Sequence, residues 1–219
     1  MAQKENFQKQ LDSILCTLKT KPKLLIHACC GPCSSYVLEY LCSFFDITVF
    51  YYNPNIYPEE EYFRRLNELK NFYKEFPPVL QNKIKVVEKE YNPSEFYDAV
   101  KTDIDKELAK EKEKGERCRR CYEFRLQKAY EYAKQNDFDY FCTTLSISPF
   151  KDAQKINDVA RQIVEKNDGE KPKWLVSDFK KKGGFKRSLE LSSQYGLYRQ
   201  TYCGCIYSKT NDYSPLPQS

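Results

Sequence analysis

No run of about 18 uncharged apolar residues occurs in this 219-residue chain, which excludes a membrane-spanning helix. The opening MAQKENFQKQLDS is polar and lacks the apolar stretch of a secretion signal, so the sequence points to a cytoplasmic protein. That reading withdraws the usual reason for a cysteine-rich chain, because the cytosol keeps thiols reduced and a disulfide framework is not expected there. Histidine is nearly absent: His27 is the only one. Charge of one sign is also in short supply, since 36 Lys and Arg against 31 Asp and Glu leave only +5. Such a balance names no partner by itself. No internal repeat is visible. With 41% apolar and 31% charged residues, the chain has an ordinary composition for a folded domain.

What the chain does have is cysteine, ten in all, and seven of them fall in three short clusters. These are Cys29-Cys30-x-x-Cys33, Cys118-x-x-Cys121 and Cys203-x-Cys205. Thiols spaced this closely hold metal or exchange electrons rather than fill a core. Cys16, Cys42 and Cys142 fall at helix or strand positions and read as buried apolar side chains. His27 lies two residues before the first cluster and reads as a hydrogen-bonded core residue, with a metal ligand or proton donor as the alternative.

The hydrophobic pattern alternates between strands and helices. Residues 22–30 (PKLLIHACC) predict a buried strand ending in the first cysteines, and Val37, Leu38, Leu41, Phe44 and Phe45 then share a helical face. ITVFYYNPN predicts a second strand stopped by Asn53-Pro54-Asn55. PEEEYFRRLNELKNFYKEF carries a stripe of Tyr62, Phe63, Leu66, Leu69, Phe72, Tyr73 and Phe76, with Pro58 and three glutamates at its start. KIKVVEKEY predicts a third strand, and charged helices are expected over 94–114 and 118–134. DYFCTTL predicts a fourth strand, residues from about 149 a further helix, and PKWLVSDF a fifth strand. The order is that of an α/β fold, a Rossmann-like parallel sheet with helices on both faces and right-handed crossovers. The expected organisation is an N-terminal helical extension (1–22), one catalytic domain (23–208) and a flexible tail (209–219).

In open parallel sheets, sites form outside the carboxyl ends of the strands. Cys29 and Cys30 end the first strand, Asn53 and Asn55 follow the second, and Thr143, Thr144, Ser146 and Ser148 follow the fourth. Cys118-x-x-Cys121 opens the helix that leads into the fourth strand, so one site can collect both groups. Neighbouring residues of a continuing strand point to opposite faces, so Cys29 and Cys30 can serve one centre only if the backbone turns. Gly31-Pro32 supplies that turn. Residues 171–187 carry seven Lys or Arg against one Asp. That segment reads either as a solvated loop or, through Lys180, Lys181, Lys182, Lys186 and Arg187, as a phosphate-contacting surface. Residues 101–117, six positive and six negative, read as a solvated helix.

Five blocks in series, HACCGPCS (27–34), YYNPNIYP (51–58), ERCRRCYEFRL (116–126), TTLSISPFK (143–151) and YRQTYCGC (198–205), resemble the QueH family of epoxyqueuosine reductases. The resemblance spans about residues 23–208 and implies the last step of tRNA queuosine biosynthesis, reductive removal of the epoxide oxygen of epoxyqueuosine in tRNA. It implies a fold similar to the ATP-pyrophosphatase superfamily and a [4Fe–4S] cluster held by Cys29, Cys30, Cys118 and Cys121. An additional iron and an unidentified electron donor are implied as well. Under the resemblance, Cys203 and Cys205 are a redox-active pair, and Cys33 is either a ligand of a second metal or a helix-start residue. Spacing by itself admits a zinc site with four thiolates as readily.

The Cys203-Gly204-Cys205 loop is so short that a disulfide across it is strained and easily reduced, which suits a two-electron store. Ligation of the second iron by one of these thiols is the alternative. Asn53, Asn55, Ser148, Lys151 and Arg199 are candidate substrate contacts; Ser148 and Lys151 suit a proton donor or a helix cap as well, and Asn53 and Asn55 suit a turn. Arg119 and Arg120 flank the second thiol pair and are candidates to contact tRNA phosphate. Two rival functions share these features. An ATP-dependent tRNA sulfur-transfer enzyme of the same fold requires a Ser-Gly-Gly-x-Asp-Ser loop where this chain has CCGPCS. A non-catalytic zinc protein that binds RNA requires only the thiols and the basic segment.

Overall fold

Leu24, Leu25 and Ile26 are completely buried in succession, so both faces of the strand that carries them are covered, as a central parallel strand requires. Residues 5–167 and 170–210 of the chain are described by a computed structural model. In chain order the elements are α1 (Phe7–Thr17), β1 (Lys23–His27), α2 (Gly31–Leu41), β2 (Asp46–Tyr51), α3 (Glu59–Tyr73), α4 (Pro77–Asn82), β3 (Lys85–Glu88) and α5 (Pro93–Val100). They continue with α6 (Lys106–Lys110), α7 (Glu116–Gln135), β4 (Tyr140–Thr143), a 3₁₀ turn (Thr144–Ile147), α8 (Ala153–Lys166), β5 (Lys173–Trp174), α9 (Gly184–Gln194) and α10 (Ile206–Thr210). The strands form one parallel sheet in the order β3-β2-β1-β4-β5. That is the expected Rossmann-like α/β architecture. The strand order reverses between β1 and β4, where the two adjacent loops diverge and leave a crevice. No helix among the described residues is long and apolar enough to cross a membrane.

Local chemistry sets several boundaries that periodicity misses. The charged helix expected over 94–114 is two helices, α5 and α6. Lys101 takes a left-handed conformation (φ 56°) after α5, and Asp105 caps α6 by accepting from Glu107 N. The helix expected from about 149 starts at Ala153, because the Asp152 side chain accepts from Lys155 N. The fifth strand is only Lys173–Trp174 and the third only Lys85–Glu88. Three helices were not anticipated, α4, α9 and α10, and α9 begins inside the basic segment read as a loop or a phosphate-contacting surface. Phe63, assigned to the apolar stripe of α3, is 44% exposed, while the rest of that stripe is buried.

Phe7, Leu11 and Leu15 bury one face of α1 in the main core, against the sheet and its helices. Cys142 is buried as expected and Cys42 partly so, but Cys16 is exposed because it lies on the outer face of α1. The sequence expectation for the tail concerns mostly residues 211–219, which lie outside the described residues.

Candidate metal and thiol site

His27 ends β1 with its ring fully buried. Nδ1 lies 2.8 Å from Thr143 Oγ1 and Nε2 lies 3.2 Å from the Tyr52 carbonyl. Burial, and then the nearby Arg125 charge, push its pKa down to about 3, so the ring is neutral and structural. Ala28 then leads to Cys29 and Cys30. Cys30 is extended (φ −170°) and α2 starts at Gly31, so the chain does turn where Gly31-Pro32 predicts. The turn brings the two thiols together, with Cys29 Sγ 3.7 Å from Cys30 Sγ. The first turn of α2 adds Cys33, and the three sulfurs lie within 4.8 Å of one another. Cys33 is therefore part of the first thiol group, a point that spacing left open.

Three convergent thiols in a buried pocket form a soft donor set suited to iron–sulfur or zinc chemistry. Their titration supports ligation. Hydrogen bonds from Cys30 and Cys33 hold the Cys29 thiol well below its usual range. Burial pushes Cys30 up to about 12, and the Cys29 thiolate raises Cys33. One thiolate shared among three sulfurs is the state a cation completes by displacing the other two protons.

Cys118 and Cys121 face inward from the first turns of α7, both buried. Burial raises both thiols, Cys121 to about 11. Cys121 packs with Cys205, Phe96 and Val100 in a small apolar cluster. Cys118, by contrast, belongs to the main core that also holds Cys29 and Cys30, so the second pair lies between the first thiol group and the third. Arg125, one turn further along α7 and fully buried, joins the two groups. Burial disfavours its charge, but the sulfurs of Cys121, Cys29 and Cys203 outweigh burial and raise its pKa, and it donates to Asn53 Oδ1. Asn53 in turn donates to the Ala28 carbonyl at 2.9 Å, which fixes the loop after β2 against the loop after β1. Asn55 is also buried, and its Oδ1 has no hydrogen-bond partner among the described residues.

The third thiol pair lies on a segment strapped across α3. Arg65, 1% exposed, donates to the Cys203 carbonyl at 3.3 Å and reaches the Tyr202 carbonyl at 3.5 Å. Glu61 holds Arg65 Nε at 2.7 Å. Tyr57 N donates to the Gly204 carbonyl at 2.8 Å, and Gln200 Nε2 reaches Cys30 Sγ at 3.2 Å. Gly204 has φ +121°, and a Cβ there would lie 3.0 Å from Arg65 Nη1, so glycine is required.

Lys151 is the sharpest feature of this region. Its ammonium donates to Cys203 Sγ at 2.7 Å and lies 3.6 Å from Glu113 Oε2, although the side chain is only 6% exposed. Burial disfavours that charge, but the Cys203 thiolate, Tyr122 and Glu113 outweigh burial and raise the lysine pKa. A hydrogen bond from Cys205 and then the Lys151 charge hold Cys203 well below the usual thiol range, while Cys205 is raised. Burial, and then the thiolate, raise Glu113, whose Oε1 has no partner among the described residues. The site therefore holds one thiolate, one thiol, one buried ammonium and one strained carboxyl in contact.

The remaining candidates fall elsewhere. Ser148 accepts from Phe150 N at 3.3 Å and so shapes the turn before α8, whose cap is Asp152. Arg199 donates to Ser192 Oγ on α9. Arg119 pairs with Glu116 and Glu123, and Arg120 with Glu116. Lys180 pairs with Asp178, Lys182 with Asp12, and Arg187 with Glu39 and Glu190. Lys181 and Lys186 are exposed. Sequence reasoning missed Arg65, Glu113, Gln200 and the role of Arg125. Glu113 lies in the stretch read as a solvated helix, where Arg117 is also buried, donating to the Leu108 and Ala109 carbonyls. Alternating charge gave no sign of burial in that stretch.

The sequence profile of the family described as Epoxyqueuosine reductase QueH matches residues 24–211. A Streptococcus pyogenes serotype M1 protein named Epoxyqueuosine reductase QueH is 43% identical over 188 residues, 86% of this chain and 71% of that protein. Its namesake from Staphylococcus aureus is 39% identical over 209 residues, 94% of this chain and 85% of that protein. The Thermotoga maritima protein of the same name is 34% identical over 191 residues, 84% of this chain and 89% of that one. With its five motif blocks gathered at the carboxyl edge of one parallel sheet, this chain belongs to the QueH family of epoxyqueuosine reductases.

Proposed function

We propose that this chain reduces the epoxide of epoxyqueuosine in tRNA to the cyclopentene of queuosine, the last step of tRNA queuosine biosynthesis. Within the family, the observation that carries the reading is the buried contact of Lys151 with Cys203, two residues from Cys205. Removing an epoxide oxygen as water requires two electrons and two protons. Oxidation of the Cys203/Cys205 dithiol to a disulfide supplies both electrons and both protons, so the atoms balance without a further reactant. With Cys203 held as the thiolate, one proton resides on the Cys205 thiol and the other on the Lys151 ammonium. Lys151 is the proton donor toward the departing oxygen, and Glu113 beside it reloads it. The strap bearing the dithiol is fixed to α3 by Arg65, which holds the two sulfurs in one place through turnover. An unidentified electron donor restores the dithiol.

The metal centre draws on the convergent thiols. Cys29, Cys30 and Cys33 offer three donors, and Cys118 and Cys121 offer the further two that the resemblance assigns to a [4Fe–4S] cluster. Such a centre supplies single-electron transfer and a Lewis-acid contact for oxygen. An additional iron would draw on the same pool. Arg125 offsets the negative charge that accumulates between the groups. Asn53 is already committed to Ala28 and Arg125 and shapes the loop, whereas Asn55, with a free buried oxygen, is the better substrate contact. Ser148 and Arg199 are secondary substrate candidates, and the exposed Lys181 and Lys186 are stronger tRNA candidates than their paired neighbours.

The decisive experiment is an anaerobic single turnover on tRNA containing epoxyqueuosine, with metal analysis of the same sample. The expected result is queuosine in amounts matching one oxidised Cys203/Cys205 pair per chain, in protein containing at least four irons per chain. Cys203→Ser is expected to lower single-turnover yield at least a hundredfold. Stoichiometric zinc without iron, or an iron-replete sample that forms no queuosine, would overturn the reading.

A further inference from the structure

A cleft of about 850 Å³ adjoins the thiol site through one shared residue. That residue is Lys151, buried in the lining and the partner of Cys203. One wall comes from the start of α1, including Lys9 and Asp12. The facing walls come from Lys114, from the start of α8 and from the turn Lys180–Lys182. The family profile begins at residue 24, so α1 lies outside it. The helix nonetheless forms one side of the cleft that Lys151 lines.

The charge of this cleft is not what its composition suggests. Six lysines line it against four carboxylates. All four carboxylates are committed within the protein. Glu5 binds Arg161, Asp12 binds Lys182, Asp178 binds Lys180, and Asp152 caps α8. Three of the lysines have no ion-pair partner among the described residues, and all three are exposed: Lys9, Lys114 and Lys181. They belong to three separate parts of the chain, α1, the turn before α7 and the turn before α9. Free ammonium groups on three walls, with three of the four carboxylates ion-paired and the fourth accepting a backbone N–H bond, give the cleft a positive mouth. A chain of phosphates bound to a base that must reach the thiols has the matching chemistry.

We propose that the N-terminal helix α1 completes the tRNA-binding surface, with Lys9, Lys114 and Lys181 contacting phosphates at the mouth of the cleft that Lys151, the partner of Cys203, helps to line. The inference rests on the proposed tRNA reaction. Lys180 and Lys182 shape the mouth through their ion pairs and are not themselves phosphate ligands. The Asp12–Lys182 pair (2.6 Å) ties α1 to the turn before α9 and keeps the two walls at a fixed separation.

The test compares two triple variants of equal charge in the full chain. One is Lys9→Ala, Lys114→Ala, Lys181→Ala. The other is Lys23→Ala, Lys85→Ala, Lys173→Ala, which removes three exposed lysines from the amino ends of β1, β3 and β5. Binding of tRNA is measured by fluorescence anisotropy across a salt series, and iron content and melting temperature are measured on each variant. Each lost phosphate contact lowers the slope of log affinity against log salt by roughly 0.7–0.9. The cleft variant is expected to lose about two units of slope and to bind about a hundredfold more weakly at 0.1 M salt. The control variant is expected to keep the slope within half a unit, and both should retain wild-type iron. Equal weakening in the two variants would mean that net charge alone matters, and an unchanged slope in the cleft variant would mean that tRNA enters elsewhere. Either result overturns the proposal, whereas the tRNA reaction itself stands or falls on turnover by the unmodified chain.

Discussion

At the scale of single residues, two side chains decide what the thiols can do. Lys151 stabilises the Cys203 thiolate through a 2.7 Å contact inside a pocket that would otherwise favour the thiol. Lys151→Met removes that charge and leaves burial to act, so the Cys203 pKa rises. In metal-free reduced protein, the midpoint pH for iodoacetamide alkylation of Cys203, followed by mass spectrometry, should move upward by at least one unit. A midpoint unchanged within a few tenths would show that Cys205 alone sets it. The lysine was legible in the motif TTLSISPFK as a substrate contact or proton donor, but its contact with Cys203 was not. The sequence places it beside a helix start, where a cap is the ordinary reading, and the contact with Cys203 joins residues 52 apart. Cys33 shows the same limit in reverse. Its membership of the first thiol group depends on the first turn of α2 folding back toward Cys29, a geometry that spacing does not encode.

At the scale of elements, the site depends on how the Cys203-Gly204-Cys205 strap is fastened to α3. Arg65 is buried against Glu61 and spans two strap carbonyls, so it carries both an ion pair and the hydrogen bonds of an irregular segment. Removing one member of a buried pair leaves the other uncompensated. Arg65→Met is expected to cost about 3–5 kcal/mol in urea unfolding, and the added substitution Glu61→Gln should recover part of that loss. A cost below about 1 kcal/mol would mean that the pair behaves as a surface bridge. Nothing in EEEYFRRL distinguishes Arg65 from Arg64, because i,i+4 spacing to a glutamate is common on exposed helices. Only the strap, about 140 residues away in sequence, takes one arginine out of water while the other stacks on the Tyr198 ring. The boundaries of α5 and α6 were likewise hidden, since a left-handed Lys101 leaves no trace in the charge pattern.

For the whole molecule, the strand order β3-β2-β1-β4-β5 puts the crevice between the ends of β1 and β4. The loops bearing Cys29, Asn53 and Thr143 meet there, and α7 delivers Cys118, Cys121 and Arg125 to the same edge. The rigidity of that edge rests on the sheet core. Phe141 on β4 is completely buried, with its ring centroid 5.5 Å from Tyr130 and 5.0 Å from Trp174. Phe141→Ala is expected to destabilise the protein by about 3–5 kcal/mol through lost burial and the cavity left behind. Calorimetry of the variant checks this value, and a loss under about 1 kcal/mol would mean that the β4 layer collapses onto the gap.

The sequence alone determined the fold class, the edge of the sheet at which the chemistry sits and the identity of the thiols. Each of these follows from local pattern: continuous apolar strands, helical stripes, and short cysteine spacings that geometry confines to one turn. Tertiary structure decided the rest. It grouped Cys33 with Cys29 and Cys30, set Cys121 beside Cys205, buried Lys151 and Glu113 against Cys203, and paired off most of the basic segment with carboxylates. Those outcomes depend on which groups lose water and meet across long sequence separations, and burial of a charge is a property of the packed molecule that no local spacing carries.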